Sequence, residues 1–250
     1  MVFNDNKFIN RTIDSVISQN NVELEYIIID GGSTDGTLEK IVSYGSKITV
    51  LLSEPDKGIY DAMNKGIALA KGKWLIFMNS GDIFNNNFTL NSIKKYLNED
   101  YDIIYGNTKA YYDDLDLEVK FEAEEPSLLL TKIVMNHQSC IIRKDFHIKN
   151  LYNTSYKICA DYDMVLRSYL NNVKLKKIDE TLALVSIGGV SDANRKRTFK
   201  EIYLVQKANG LKKALLIYCK NMGYHFAVKS IKAVFSKNLY NFLHKKKYVK

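Results

Sequence analysis

The sequence predicts an α/β fold: an open, mostly parallel sheet with helices on both faces, followed by a basic, helical C-terminal tail. Three observations lead there. Short apolar runs recur as far as Met78, each followed by apolar residues at helical spacing. These runs are apolar on successive residues rather than alternate ones, the pattern of strands covered on both faces. Acidic residues stop at Glu201, and eleven lysines follow in residues 202–250, which sets that segment apart.

The elements follow in order. Ile9, Ile13, Val16 and Ile17 mark a first helix, for which Asn4 to Asn6 offer a cap. Only Met1-Val2-Phe3 precedes it, where a βαβ fold normally places about five or six strand residues. Either the sheet has a short edge there, or the natural chain begins a few residues upstream. Tyr26 to Asp30 is the first full strand, with Leu38, Ile41 and Val42 giving the helix behind it. Ile48 to Leu52 is the second strand, and Ile59, Met63, Ile67 and Ala70 form the second apolar helix face. Trp74 to Met78 is the third strand. From Tyr101 the pattern changes. Asp102 to Tyr105 reads as a strand, Thr108 to Tyr112 and Leu117 to Phe121 as a hairpin around Asp113-Asp114, and Gln138 to Ile142 as another strand. Asp161 is expected to cap a helix carrying Val165, Tyr169 and Leu170, and Leu182 to Ile187 is a last strand ended by Gly188-Gly189. There is no internal repeat. The expected division is a domain over 1–200 and a tail over 201–250.

Composition narrows the class. With 250 residues and 46% apolar content the chain can bury a sizeable core. No apolar run of membrane-spanning length and no signal-peptide pattern is read. Three cysteines without a C-x-x-C pair argue against a disulfide framework and for a reducing cytoplasm. His137 and Cys140 could open a zinc site, but no second matching pair follows. Residues 202–250 carry +11 against a total of +8, so the first 201 residues carry −3. That asymmetry points to an anionic surface as partner.

In a parallel open sheet, ligands bind beyond the carboxyl ends of the strands. Asp30 ends the first full strand and Asp82 lies just past the third, so the two acids should meet at one edge. The turn Gly31-Gly32-Ser33-Thr34-Asp35-Gly36 after Asp30 is glycine-rich, but it is neither G-x-x-x-x-G-K-[ST] nor G-x-G-x-x-G. A carboxylate at its mouth repels phosphate and suits the donors of a base or a ribose. Asp35 and Thr34 read as caps for the next helix.

The trio D30-G-G-S-T-D-G-T, D56-K-G-I-Y-D-A-M-N-K-G66 and M78-N-S-G-D82 resembles the nucleotide-sugar domain of family 2 glycosyltransferases with the GT-A fold, over about residues 1 to 190. Its wording is similar to bacterial enzymes of capsule, O-antigen and exopolysaccharide assembly. The resemblance implies that Asp30 faces the uracil or ribose of a UDP-sugar. It implies that Asp82 is the metal-binding end of a D-x-D motif, in which Asn79 and Gly81 stand where carboxylates often do. Mg2+ or Mn2+ is the implied cofactor, since hard cations take oxygen ligands and are commonly held by one or two carboxylates plus phosphate and water. Asp61 becomes a donor-site residue, or else a capping acid. The resemblance places Asn79 on the donor side, and His137 of Asn136-His137-Gln138-Ser139 beside the donor or acceptor sugar, although a lone histidine is also common as a structural residue. Cys159-Ala160-Asp161-Tyr162-Asp163-Met164-Val165-Leu166-Arg167 resembles the E-D-x-D-x-x-x-R helix start that carries the catalytic base. Ala160 replaces its first acid, and Asp161 matches the base. Asp163 points elsewhere on the helix and supports the turn. The Gly188 to Ser191 loop with Arg195-Lys196-Arg197 reads either as a lid over diphosphate or as a solvated charge run.

The tail repeats apolar residues on one side, including Leu211, Leu215, Tyr218, Met222 and Phe226, then Phe235, Leu239 and Phe242, with lysines between them. A basic amphipathic helix of this kind binds an anionic membrane surface; packing on the catalytic domain is the alternative. No zinc module, helix-turn-helix or RNP-like strand supports nucleic acid. The expectation is an inverting glycosyltransferase, metal-dependent, moving a sugar from a UDP-sugar to a saccharide or lipid-linked saccharide acceptor. It would be cytoplasmic and peripheral at the inner face of the membrane. A catalytically inactive sugar-nucleotide-binding relative and a nucleotidyltransferase are the rival readings.

Overall fold

The computed structural model describes residues 1–97, 100–112, 117–186 and 194–234. The expected turn at Asp113-Asp114, the Gly188 to Ser191 loop and the tail beyond residue 234 lie outside them. In chain order the main elements are α1 (Ile9–Ile17), β1 (Ile27–Asp30), α2 (Thr37–Val42), β2 (Val50–Ser53), α3 (Ile59–Leu69), β3 (Trp74–Ile76), β4 (Ile83–Phe84), α4 (Thr89–Ile93), β5 (Ile103–Tyr112), β6 (Leu117–Phe121), β7 (Cys140–Arg143), α5 (Lys144–His147), α6 (Ala160–Leu170), β8 (Leu175–Ser186), α7 (Arg195–Ala208) and α8 (Ala214–Val234).

β1 and β2 pair in parallel, Ile28 opposite Leu51 and Asp30 opposite Ser53. The larger sheet has the order β3-β7-β5-β8-β4, with β6 on β5. Its pairings are mixed: β5 runs parallel to β8, while β3–β7, β5–β7, β5–β6 and β4–β8 are antiparallel. The α/β class therefore holds, but the sheet is not mostly parallel. The cause is β7, which enters between β3 and β5 against both. The two sheets are joined by the first two residues. Val2 bridges Asp30 in parallel, its N–H donating to Ile29 O and its carbonyl accepting from Gly31 N. On the other side the Met1 amino group donates to Met78 O and Ser80 N donates to Met1 O.

Strand residues alternate between the faces, and the core divides accordingly. Ile103, Tyr105, Cys140 and Ile142 face a cluster with Tyr60, Met63 and Ile67 of α3, Ala160 to Leu166 of α6, and Ile202 and Val205 of α7. Ile104, Ile141, Ile178 and Leu182 face Ile93 and Leu90 of α4 on the opposite side. Helices thus cover both faces, as expected. A third cluster joins α1, β1 and α2 through Ile9, Ile13, Ile28 and Ile41.

Local expectations need correction in four places: the cap of α1, Val42, the cap of α6 and the start of the last strand. Asn4 and Asn6 do not cap α1, whose N-cap position is Phe8. They tie the chain start to the turn after β1 instead: Thr34 N donates to Asn4 Oδ1, and Asn6 N donates to Asp35 Oδ2. Val42, expected on an apolar face, is exposed. Asp161 is not the cap of α6 but its second residue, after Cys159 at the N-cap position. The last strand begins at Leu175, well before Leu182, because its first half pairs with β5 through a register shift around Gly106. The boundary expected at residue 200 falls inside α7.

Candidate active site

Three chain segments converge past the ends of β1 and β3. The turn after β1 is organised by Asp30, which is fully buried. Its carboxylate accepts from Gly32 N, Ser33 N, the Ser33 hydroxyl and, at 2.6 Å, the Ser53 hydroxyl on β2. These donors fill the lone pairs of one carboxylate, so Asp30 shapes the turn and does not stand free at its mouth. Asp35 does serve the next helix, accepting from Thr37 N at 3.1 Å. The turn's other neighbour is Asp56. Its Oδ2 lies so close to Gly31 that a Cβ there would come within 2.6 Å of it, and its Oδ1 accepts from Gly58 N.

The Asn79–Asp82 turn closes through Asp82 N to Asn79 O, 3.1 Å, with Gly81 at φ +91°, a conformation that favours glycine. Thr12 of α1 pins it, accepting from Gly81 N and donating to Asp82 O. Asp82 is 7% exposed, and its carboxylate is held by Gln138 Nε2 at 2.6 Å on Oδ2 and Ser186 N at 3.1 Å on Oδ1. Burial pushes its carboxyl above the ordinary value, against the pull of Gln138 and Ser186. Asp82 and Asp56 both act electrostatically on the Met1 amino group, which burial lowers to about 6. The acids at the ends of β1, β2 and β3 thus share one edge.

Asp161 faces the same region from α6. His137 Nδ1 lies 3.1 Å from its Oδ2, the Tyr60 hydroxyl 3.0 Å from its Oδ1, and its own neighbour Tyr162 N donates to Oδ1 at 2.8 Å. His137 Nε2 in turn lies 2.8 Å from Asn79 Nδ2. An amide N–H can only donate, so Nε2 accepts and Nδ1–H donates to Asp161. Burial acts to raise the Asp161 carboxyl, but the hydrogen bonds from His137, Tyr162 N and Tyr60 pull it the other way, and it lies below the ordinary range. Two acids are therefore pushed in opposite directions, a common signature of divided roles.

The expected residues separate clearly. Asn79, His137 and Asp161 form one chain of contacts, and Gln138 links their turn to Asp82. Asp61 accepts from Lys57 N at 3.0 Å and lies 3.8 Å from Lys65, contacts at the start of its own helix. Asp163 pairs with Arg167 at 2.9 Å. Arg197 of the basic cluster pairs with Glu201. Gln138, Tyr60, Ser186 and Asp56 were given no role from sequence, although Asp56 and Tyr60 lie in the D56-K-G-I-Y-D motif and Gln138 adjoins His137; Ser186 carried no signal. Among the described residues no group of three or more His, Cys, Asp or Glu gathers as a metal cage. The donor set still fits a hard cation held partly by substrate phosphates: one carboxylate at Asp82, with Asn79 Oδ1 and Ser80 Oγ buried and without hydrogen-bond partners.

The family model described as Glycosyl transferase family 2 matches residues 1–173. The chain belongs to that family. This family 2 chain is 30% identical over 165 residues to a PGL/p-HBAD biosynthesis glycosyltransferase of Mycobacterium tuberculosis, covering 64% of this chain and 63% of the relative's length. It is 28% identical over 174 residues to the chondroitin synthase of Pasteurella multocida, covering 66% of this chain and 18% of that one. Among solved structures it is similar to S. aureus TarS 1–349 in complex with UDP, with TM-score 0.63 and 17% identity over 95% of this chain and 74% of that one. It is also similar to the mannosyltransferase PcManGT from Pyrobaculum calidifontis in complex with GDP-Man and Mn2+, with TM-score 0.62 and 12% identity over 98% of this chain and 77% of that one. The fold of this family 2 glycosyltransferase is the GT-A fold.

Proposed function

We propose that the chain is an inverting, metal-dependent glycosyltransferase that moves a sugar from a UDP-sugar to a saccharide acceptor, lipid-linked, in the assembly of a surface polysaccharide. The observation that carries this reading is the way consecutive residues hold two acids: Gln138 on Asp82 and His137 on Asp161. In this reading Asp82, beyond β3, serves the donor's diphosphate, and Asp161 serves the acceptor from α6. In the reaction the acceptor hydroxyl loses its proton to Asp161 as its oxygen bonds to the anomeric carbon. The bond from that carbon to the diphosphate breaks on the other face, and its electron pair leaves with UDP. His137 orients Asp161, and its neutral tautomer is fixed by Asn79. Asp82 would hold Mg2+ or Mn2+, which offsets the charge of the leaving diphosphate. Asp30 shapes the turn against which the base or ribose lies, and Asp61 and Asn79 line the donor side.

UDP as the nucleotide is supported by similarity to TarS, solved with UDP and with UDP-GlcNAc; a cation is supported by the Mn2+ in PcManGT. A lipid-linked acceptor is supported by the tail. α8 exposes Leu215, Leu216, Tyr224 and Phe226 among the lysines, the composition of a surface-binding helix. No helix of the described residues is long and apolar enough to cross a membrane.

The test is release of UDP from a panel of UDP-sugars with saccharide acceptors and Mn2+, on the wild-type chain and Asp161→Asn. Loss of a general base lowers turnover by roughly 10² to 10⁴ with donor binding near normal. A fully active variant removes Asp161 from this role. Tight UDP binding without transfer to any acceptor marks a sugar-nucleotide-binding protein instead.

A further inference from the structure

We propose that Tyr60 is a positioning residue for Asp161: its one hydroxyl hydrogen serves the carboxylate while Asp161 is ionised and turns to the Ile158 carbonyl once Asp161 has taken a proton. The inference rests on the reading of Asp161 as the base.

Tyr60 lies in the first turn of α3, within the D-K-G-I-Y-D segment. Its side chain is buried, and its ring packs on Tyr152 with centroids 5.4 Å apart, so the phenol has little freedom beyond rotation of the hydroxyl. The hydroxyl oxygen lies 2.6 Å from Ile158 O and 3.0 Å from Asp161 Oδ1. Both are acceptors when Asp161 is ionised, and a phenol has one hydrogen, so the two compete for it. A neutral Asp161 removes the conflict. A proton on Oδ1 donates to the Tyr60 oxygen, and the Tyr60 hydrogen is free for Ile158. Tyr162 N and His137 Nδ1 hold the carboxyl group in both states. The geometry accommodates the proton that a general base must receive. The claim of Ile158 on the hydrogen also limits how far Tyr60 can acidify Asp161, which already lies in the first turn of a helix, where anions are favoured.

The titratable groups facing Asp161 are His137 from the turn before β7, Tyr60 from α3, Cys140 from β7, Tyr152 from the segment before α6, and Cys159 ahead of α6; the Tyr162 hydroxyl is turned to Leu129 O instead. Burial pushes both thiols and all three phenols up, so they stay neutral through the working range.

The experiment is the pH profile of kcat/KM for the wild-type chain, Tyr60→Phe, a chain with 3-fluorotyrosine placed at residue 60, and Asp161→Asn. The base works ionised, so the rate falls as pH drops through its pKa. Removing the donor raises that pKa, and the acid limb of Tyr60→Phe moves up by about one to two pH units, the shift expected for losing a hydrogen bond to a charged group. Fluorotyrosine keeps the ring and is a stronger donor, so its limb moves down. A merely structural role lowers the rate at every pH and moves neither limb. If Asp161→Asn is inactive while both Tyr60 limbs coincide with wild type, or shift together, the inference about Tyr60 is overturned and the base reading stands. If Asp161→Asn is fully active, the base reading fails and this inference with it. Should Tyr60→Phe not fold, the fluorotyrosine limb decides alone.

Discussion

Burial acts to raise both the Asp82 and the Asp161 carboxyl, and the two differ in what offsets it. Burial raises the Asp82 carboxyl. A raised pKa contributes stability below the unfolded value and loses it as pH rises through the folded value, so ionised Asp82 opposes folding at neutral pH. Asp161 is lowered; its contribution is present above the unfolded value and lost as pH falls through the folded one. At pH 7 without metal, Asp82→Asn should therefore melt no lower than wild type, while Asp161→Asn melts lower, although both lose turnover. Asp82→Asn should weaken UDP binding only when Mn2+ is present; equal weakening without metal would make Asp82 a structural acid. Thermal melts and UDP titrations check both. Asp82 was legible in sequence because a carboxylate just past an apolar run has no packing reason to be there, and Asp161 was legible through the resemblance of its helix start to E-D-x-D-x-x-x-R. The partner of Asp82 was not legible, because Gln138 carries no charge and is 56 residues away. The saturation of Asp30 was hidden for a similar reason, since one of its donors, Ser53, lies on another strand.

Among the elements, those with dense apolar runs were readable. β1, β2 and β3, with the helices α2 and α3, lie where the runs are. Pairing was not readable, because β7 inserts between β3 and β5 through contacts more than sixty residues apart from β3, and nothing in either run encodes direction. The first half of β8, Leu-Lys-Lys-Ile-Asp-Glu, was hidden by its polar residues. One element-level anchor is Glu201 of α7. Its buried carboxylate accepts from Lys157 N, Ile158 N and Cys159 N, just ahead of the helix that carries Asp161. Glu201→Ala leaves three N–H groups short, and each buried group without a partner costs about 1–3 kcal/mol. A loss of about 3 kcal/mol or more in urea unfolding is expected, with a milder loss for Glu201→Gln. A change under about 0.5 kcal/mol would mean that water replaces the carboxylate. A second element-level feature is the cavity of about 390 Å3 between the edges of β1 and β3, lined by Ile27 to Ile29 and Trp74 to Met78. Residues 1–2 occupy its end and run parallel to β1. An added apolar strand such as Lys-Ile-Thr-Ile-Ile-Thr ahead of Met1 should fill it and raise Tm by several degrees, whereas a Gly-Ser stretch of equal length should not. Equal melting of the two forms would show that the cavity does not admit a strand.

For the whole molecule, the division expected at residue 200 meets a helix that belongs to the core. Ile202 and Val205 are buried with α6, and Ala214 is buried as well. Cutting the chain after Glu201 should therefore abolish folding, while cutting after Leu216 should leave transfer to a soluble acceptor intact. The shorter form should lose binding to vesicles containing phosphatidylserine. The full chain should sediment with them at low salt and come off as salt rises, since its attraction is partly electrostatic. If the full chain ignores such vesicles, the exposed apolar residues of α8 need another partner. The beginning of the chain bears on how the protein is handled. Met1 is no loose end: its amino group and carbonyl bond to Met78 and Ser80, and its neighbour Val2 bonds to Ile29 and Gly31. A flexible, polar purification handle fused at Met1 would have to start between two strands, beside the turn that carries Asp82. Such a handle would disturb the bonds that Met1 and Val2 make to both strands.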